Sequence, residues 1–179
     1  MADSAAGNTL GGAPDPEFTH LDNSGRAHMV DVTPKEPTHR RAVVRARVQT
    51  TAETAAAIAD GSMGKGDVLA VARVAGIQAA KRTSELIPLC HPLMISAARV
   101  NFSLGHTWID VEAEVETVER TGVEMEAMTA CSVAALTIYD MCKSADRAMV
   151  ISDLTLWEKT GGRSGTYRRA DDPVVAFDR

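Results

Sequence analysis

Aromatic side chains are scarce in this chain, with three Phe, two Tyr and two Trp among 179 residues. Proteins that grip single-stranded nucleic acid stack bases on rings, so that mode of binding is disfavoured. A formal net charge of -5 argues against a broad basic surface for duplexes, and leaves room only for a local basic pocket. No apolar run is long enough to span a bilayer, and the first residues lack the basic start and apolar core of a signal peptide. Three cysteines without paired spacing predict reduced thiols and a cytoplasmic location. Cys90 and His91 stand side by side, but there is no Cys-x-x-Cys and no His-x-x-x-His. That is too small a ligand set for a structural zinc, and no metal is expected.

What remains has the composition of an ordinary globular protein, 45% hydrophobic and 24% charged, with enough chain for one domain. Residues 1–18 are rich in Ala, Gly, Asp and Pro without periodicity and are expected to be a disordered tail, part of it an appended linker. The folded domain is expected over 19–158. From 159 to 179 a Gly-rich basic stretch is expected to be flexible; Lys159 to Gly165 resembles a phosphate loop in composition but lacks the Walker spacing.

Within the domain an irregular arm precedes a strand, Arg41 to Gln49. There Ala42, Val44, Ala46 and Val48 make a buried face, while Arg41, Val43, Arg45 and Arg47 make a largely solvated one. A helix over about Thr51 to Asp60 ends at Gly61, and Asp67 caps a second over about Val68 to Arg82. Thr83 to Leu86 extends or restarts it until Pro88, and Pro88 to Pro92 forms a rigid loop. Two alternating segments around Gly105–His106 make a hairpin, and Ala148 to Trp157 a last strand. Between hairpin and last strand, Thr121 to Lys143 predicts a buried helix, uncharged from Ala127 to Tyr139 and covered on more than one side. Its Thr121–Glu124 spacing is that of a capping box. The order strand, helices, strand, strand, helix, strand predicts an α+β chain with an antiparallel sheet. It is the ferredoxin-like split βαβ arrangement with an extra helix in the first crossover.

The charges of the long helix sit at its ends, Glu124 and Glu126 at the start, Asp140 and Lys143 at the finish. Glu126 and Asp140 are separated by about 40° around the helix but by about 21 Å along it, at ~1.5 Å per residue. One small molecule cannot reach both on one straight helix, so a shared site would need two subunits. Lys65, between two glycines, suits a phosphate or carboxylate; a solvated turn lysine is the plainer reading. His91, held in the rigid loop, suits proton transfer or simply caps a helix end.

Taken together, several ordered blocks are far more specific. His28 to Val32, Lys65 to Val68, Ala75 to Arg82, Leu86 to Leu93 and Thr121 to Lys143 resemble the molybdenum cofactor biosynthesis protein C family (MoaC), over about Thr19 to Tyr167. The resemblance implies a cyclic pyranopterin monophosphate synthase. Such an enzyme acts after a radical GTP cyclase, converts 3′,8-cyclo-7,8-dihydro-GTP to cyclic pyranopterin monophosphate, and releases pyrophosphate. It implies a homohexamer, a trimer of dimers with sites at dimer interfaces, and no redox cofactor, in keeping with the lack of a dinucleotide fingerprint. By motif position Asp140, Lys65, Lys143 and His91 are the implied catalytic residues. Leu89, Cys90, His91, Met125, Glu126 and, less directly, Lys81 and Glu124 are the implied substrate-binding ones. Arg163 departs from the family, which often has Lys there. A non-catalytic ferredoxin-like module binding a small ligand is the alternative.

Overall fold

A computed structural model describes residues 24–170 and Phe177. The expected disordered tail, 1–18, lies outside the described residues. The chain divides into two units, Met1–Val30 and Asp31–Arg179, and the second carries every regular helix and strand described.

The second unit runs β1 (Thr38–Gln49), α1 (Ala52–Ala59), α2 (Val68–Ala80), α3 (Thr83–Leu86), β2 (Ala97–Leu104), β3 (Trp108–Glu119), α4 (Glu124–Cys142), β4 (Val150–Thr160) and β5 (Tyr167–Arg168). The sheet order is β2-β3-β1-β4-β5 with every neighbouring pair antiparallel. Its first four strands reproduce the expected ferredoxin-like arrangement, and α1 is the extra helix of the first crossover. Thr51 caps α1 by accepting from the Thr54 amide at 3.2 Å, and Gly61 leaves it at φ 67°. Asp67 caps α2 through the Ala70 amide at 2.9 Å.

One sheet face packs on the helices. Ala42, Val44, Ala46 and Val48 lie opposite Val115, Ala113, Val111 and Ile109, and all eight are buried. The other face is not the solvated one expected from alternation. Arg45 meets Glu112 at 2.9 Å, Arg47 grips both Asp110 oxygens at 2.6 and 2.8 Å, and Arg41 joins Glu114 and Glu158. Val43 is buried among them, and Glu112 is only 4% exposed. Period-two alternation marks which residues share a face; it does not tell water from a layer of paired charges.

Two further expectations change. The proposed capping box at Thr121–Glu124 does not form: Val123 is the N-cap of α4, with no side-chain cap bond. Gly122 is a poor helix residue, so the helix starts later, anchored by the buried Val123. The Glu124 carboxylate folds back over Gly122, where a Cβ would lie 1.9 Å from Oε2. Of the stretch 159–179, expected to be flexible, the part up to 170 instead completes β4 and adds β5 along its edge, while 171–176 and 178–179 lie outside the described residues. Its glycines serve backbone packing. Gly161 has φ 89°, and a Cβ there would stand 2.1 Å from the His39 carbonyl oxygen.

α4 packs on α2 through small residues. A Cβ on Gly76 would meet the Ala130 carbonyl oxygen at 2.8 Å, Val100 Cγ2 at 3.0 Å and Ala134 Cβ at 3.2 Å. Gly76→Val should therefore destabilise the protein by roughly 1–3 kcal/mol through overpacking, read as a lower urea midpoint. An unchanged midpoint would show that the two helices can move apart.

Candidate active site

α2 and α4 run antiparallel, so the expected site residues fall into two groups. At the end of α4, Asp140 accepts from Lys143 Nζ at 2.7 Å, and Lys65 Nζ lies 3.5 Å from its other carboxylate oxygen. Lys65 also donates to the Asp140 backbone carbonyl at 2.9 Å. Its place just before the α2 N-terminus brings it there, since the antiparallel packing sets that end beside the last turn of α4. Lys143 first, then Lys65, holds the Asp140 carboxyl below its usual range, and Asp140 in turn raises Lys143. All three side chains are substantially exposed, so water screens the cluster and its worth is chemical more than structural. Asp140, Lys143 and Lys65 thus form one three-membered charged group. Its two lysines face a cleft of about 280 Å³ also lined by Tyr139, Ser144 and Arg147.

At the start of α4 the environment is different. Glu126 is 4% exposed, and burial pushes its carboxyl up to about 7, against an opposing bond from its own backbone and with help from the Glu124 charge. Cys90 is raised by its own burial and then by the Glu126 charge, which sets the Leu89–Cys90–His91 loop against this end. The loop turns on a 3.1 Å bond from the Cys90 amide to the Ile87 carbonyl. Asp31 belongs to the same neighbourhood. Its carboxyl is lowered mainly by Thr33, with a smaller effect from His91. Lys81 caps the end of α2, level with the first turn of α4, and Met125 is 40% exposed there. Lys65, Asp140 and Lys143 therefore meet in one place. Glu126, Cys90, His91, Met125 and Lys81 gather at the other, with Glu124 beside them.

Sequence reasoning missed Tyr139, Ser144 and Arg147 in the cleft. No periodic signal marks them, since Tyr139 lies in the last turn of α4 while Ser144 and Arg147 fall beyond its end at Cys142. Among the described residues, no group of three or more His, Cys, Asp or Glu side chains is arranged to hold a metal ion, and no helix is long and apolar enough to cross a membrane.

The fold is that of a ferredoxin-like α+β protein, with a cleft lined by Lys65, Lys143 and Arg147 at the end of α4. The MoaC family profile matches residues 29–162. The cyclic pyranopterin monophosphate synthase of Thermomicrobium roseum is 60% identical over 158 residues, 87% of this chain and 95% of that one. Its counterpart in Heliobacterium modesticaldum is 57% identical over 156 residues, 86% of this chain and 98% of that one. The counterpart in Peptoclostridium acidaminophilum is 56% identical over 153 residues, with the same shares. This chain belongs to the MoaC family.

The buried acid gives a stability test. Glu126 titrates near 4.5 when unfolded and about 7 when folded, so the native state holds a proton the unfolded chain releases. That stabilisation is full below about pH 4.5 and is lost as pH rises through about 7. Its size is on the order of 3 kcal/mol at 1.36 kcal/mol per pKa unit. Glu126→Gln should remove this slope and gain on the parent protein from about pH 5 to about pH 8 in urea titrations. Parallel pH profiles would rule out a buried, raised carboxyl.

Proposed function

We propose that this protein is a cyclic pyranopterin monophosphate synthase of molybdenum cofactor biosynthesis. It converts 3′,8-cyclo-7,8-dihydro-GTP to cyclic pyranopterin monophosphate and releases pyrophosphate. The observation that carries the reading is the Asp140 carboxylate held between Lys65 and Lys143, two lysines that line an open cleft. The synthase name of the 56–60% identical relatives supports it.

The chemistry suits the two ends differently. Closing the cyclic phosphate requires a sugar hydroxyl to attack the α-phosphorus, with loss of its proton and departure of pyrophosphate. The ammonium groups of Lys65 and Lys143 face the charge that develops, and the ionised Asp140 can take the proton. Opening the purine ring and closing the pterin need groups that gain and lose protons near neutrality. Glu126, pushed up to about 7, suits that task. Lys81 and the Leu89–Cys90–His91 loop would border the substrate there.

α4 carries both ends in one element of 19 residues. One substrate using Glu126 and Asp140 therefore takes them from two copies, in a homohexamer with sites at dimer interfaces. The enzyme would work in the cytoplasm, downstream of a radical GTP cyclase and without a redox cofactor.

Incubation with the cyclised GTP should yield pyrophosphate and the pterin. Asp140→Asn and Lys65→Ala should each lower kcat by about a hundred-fold or more while leaving the fold intact; full turnover in either would overturn the assignment. Mixing inactive Glu126→Gln and Asp140→Asn subunits should restore part of the activity, because some interfaces then carry two intact halves. No recovery would count against a site shared between subunits.

A further inference from the structure

Three cations line the cleft at the end of α4, and one carboxylate, Asp140, pairs with two of them. Asp140 serves Lys143 and Lys65 together, and Lys65 spends a further bond on the Asp140 carbonyl. Arg147 lines the same cleft, and no carboxylate among the described residues is in ion-pair range of its guanidinium. Three positive charges against one negative leave two in excess. The α4 C-terminus, worth about half a negative charge, offsets only part of that. Such a cleft calls for an anion of more than one charge.

Arg147 is also held in place. Asp146, 7% exposed, accepts from Thr50 Oγ1 at 2.9 Å, the Thr51 amide at 3.1 Å and the Ala148 amide at 2.9 Å. Burial opposes its charge, but these bonds prevail and keep its carboxyl below the usual range. They tie the turn after α4 to the start of α1. From the other side the Tyr139 hydroxyl donates to the Arg147 carbonyl at 3.3 Å. The backbone of Arg147 is thus fixed on both sides while its side chain remains exposed.

We propose that Arg147 binds the pyrophosphate-bearing end of the substrate, and that Asp146 positions it. This rests on the synthase reading of the same cleft. A guanidinium presents paired donors that match two phosphate oxygens, whereas an ammonium acts as a point charge. Arg147 would hold the β- and γ-phosphates while Lys65 and Lys143 face the reacting α-phosphorus.

The test is titration calorimetry of the full chain with inorganic pyrophosphate, alongside turnover of the cyclised GTP. Arg147→Gln should weaken pyrophosphate about ten-fold, and Arg147→Lys should recover part of the loss. In turnover Arg147→Gln should raise KM by a similar factor and change kcat much less. Unchanged pyrophosphate affinity in Arg147→Gln, or a fall in kcat at constant KM, would overturn the proposal. So would a wild-type protein that turns substrate over but does not bind pyrophosphate in the millimolar range, and the synthase reading would then stand. Pyrophosphate bound through Arg147 by a wild-type protein that never turns over the cyclised GTP would sink the synthase reading and keep the anion subsite.

Discussion

The closeness of α2 and α4 sets where every charged group of the site ends up. At Gly76 there is no room for even a methyl group, because the Ala130 carbonyl already occupies that space. Ala127, Ala130, Cys131, Ala134 and Ala135 make the buried face of α4 correspondingly shallow. Small residues cost apolar area, each contributing less than a Leu or Ile would. In return the helices approach closely enough to fix their axial register, since a slide of one turn would drive a larger side chain into the Gly76 notch. That register delivers Lys65 to the last turn of α4 and the Cys90 loop to its first. A looser helix pair with bulkier side chains would bury more surface and leave both meetings undefined.

The same helix then supplies two carboxylates with opposite tendencies. Asp140 stands in water between two ammonium groups and stays ionised. Glu126 is stripped of water and lies beside another carboxylate, so it holds its proton to about neutrality. Environment alone separates them, as in enzymes that run acid and base chemistry from one residue type. Burial makes Glu126 costly, and a structural protein has little reason to keep an acid there. An acid that holds its proton to about neutrality is easier to understand as chemistry than as architecture.

Much of this was legible in the residues. Period-two and period-3.6 patterns name every long element, Asp67 and Gly61 mark helix ends for local reasons, and the order of elements specifies the strand order. The failures have a common origin. Thr121-x-x-Glu124 fits a capping box in spacing, but Gly122 and the buried Val123 decide where the helix begins. Arg41, Arg45 and Arg47 look like a wetted face because their partners Glu112, Glu114 and Asp110 lie more than sixty residues away. The glycines after Lys159 look like freedom, although Gly161 is needed because His39 crowds it. In each case a distant part of the chain overrules a local pattern. The cleft residues escaped notice for the same reason, because Arg147 acquires meaning only once Asp146 is tied to Thr50 and Thr51.

The middle of α4 explains why the two ends stay chemically separate. Thr129, Ser132 and Thr137 are its polar residues between the charged ends, and each donates to the carbonyl four residues earlier, at 2.8, 2.8 and 2.7 Å. Their hydroxyl protons are thereby directed into the helix itself. The remaining middle positions are apolar apart from Cys131, whose thiol donates to the Val111 carbonyl, and Tyr139, whose hydroxyl reaches the Arg147 carbonyl. No relay of donors and acceptors runs along the helix from Glu126 to Asp140. A proton released at one end cannot be passed to the other through α4, and a rigid helix cannot bend about 21 Å of separation away. Each end must act on whatever is brought directly against it.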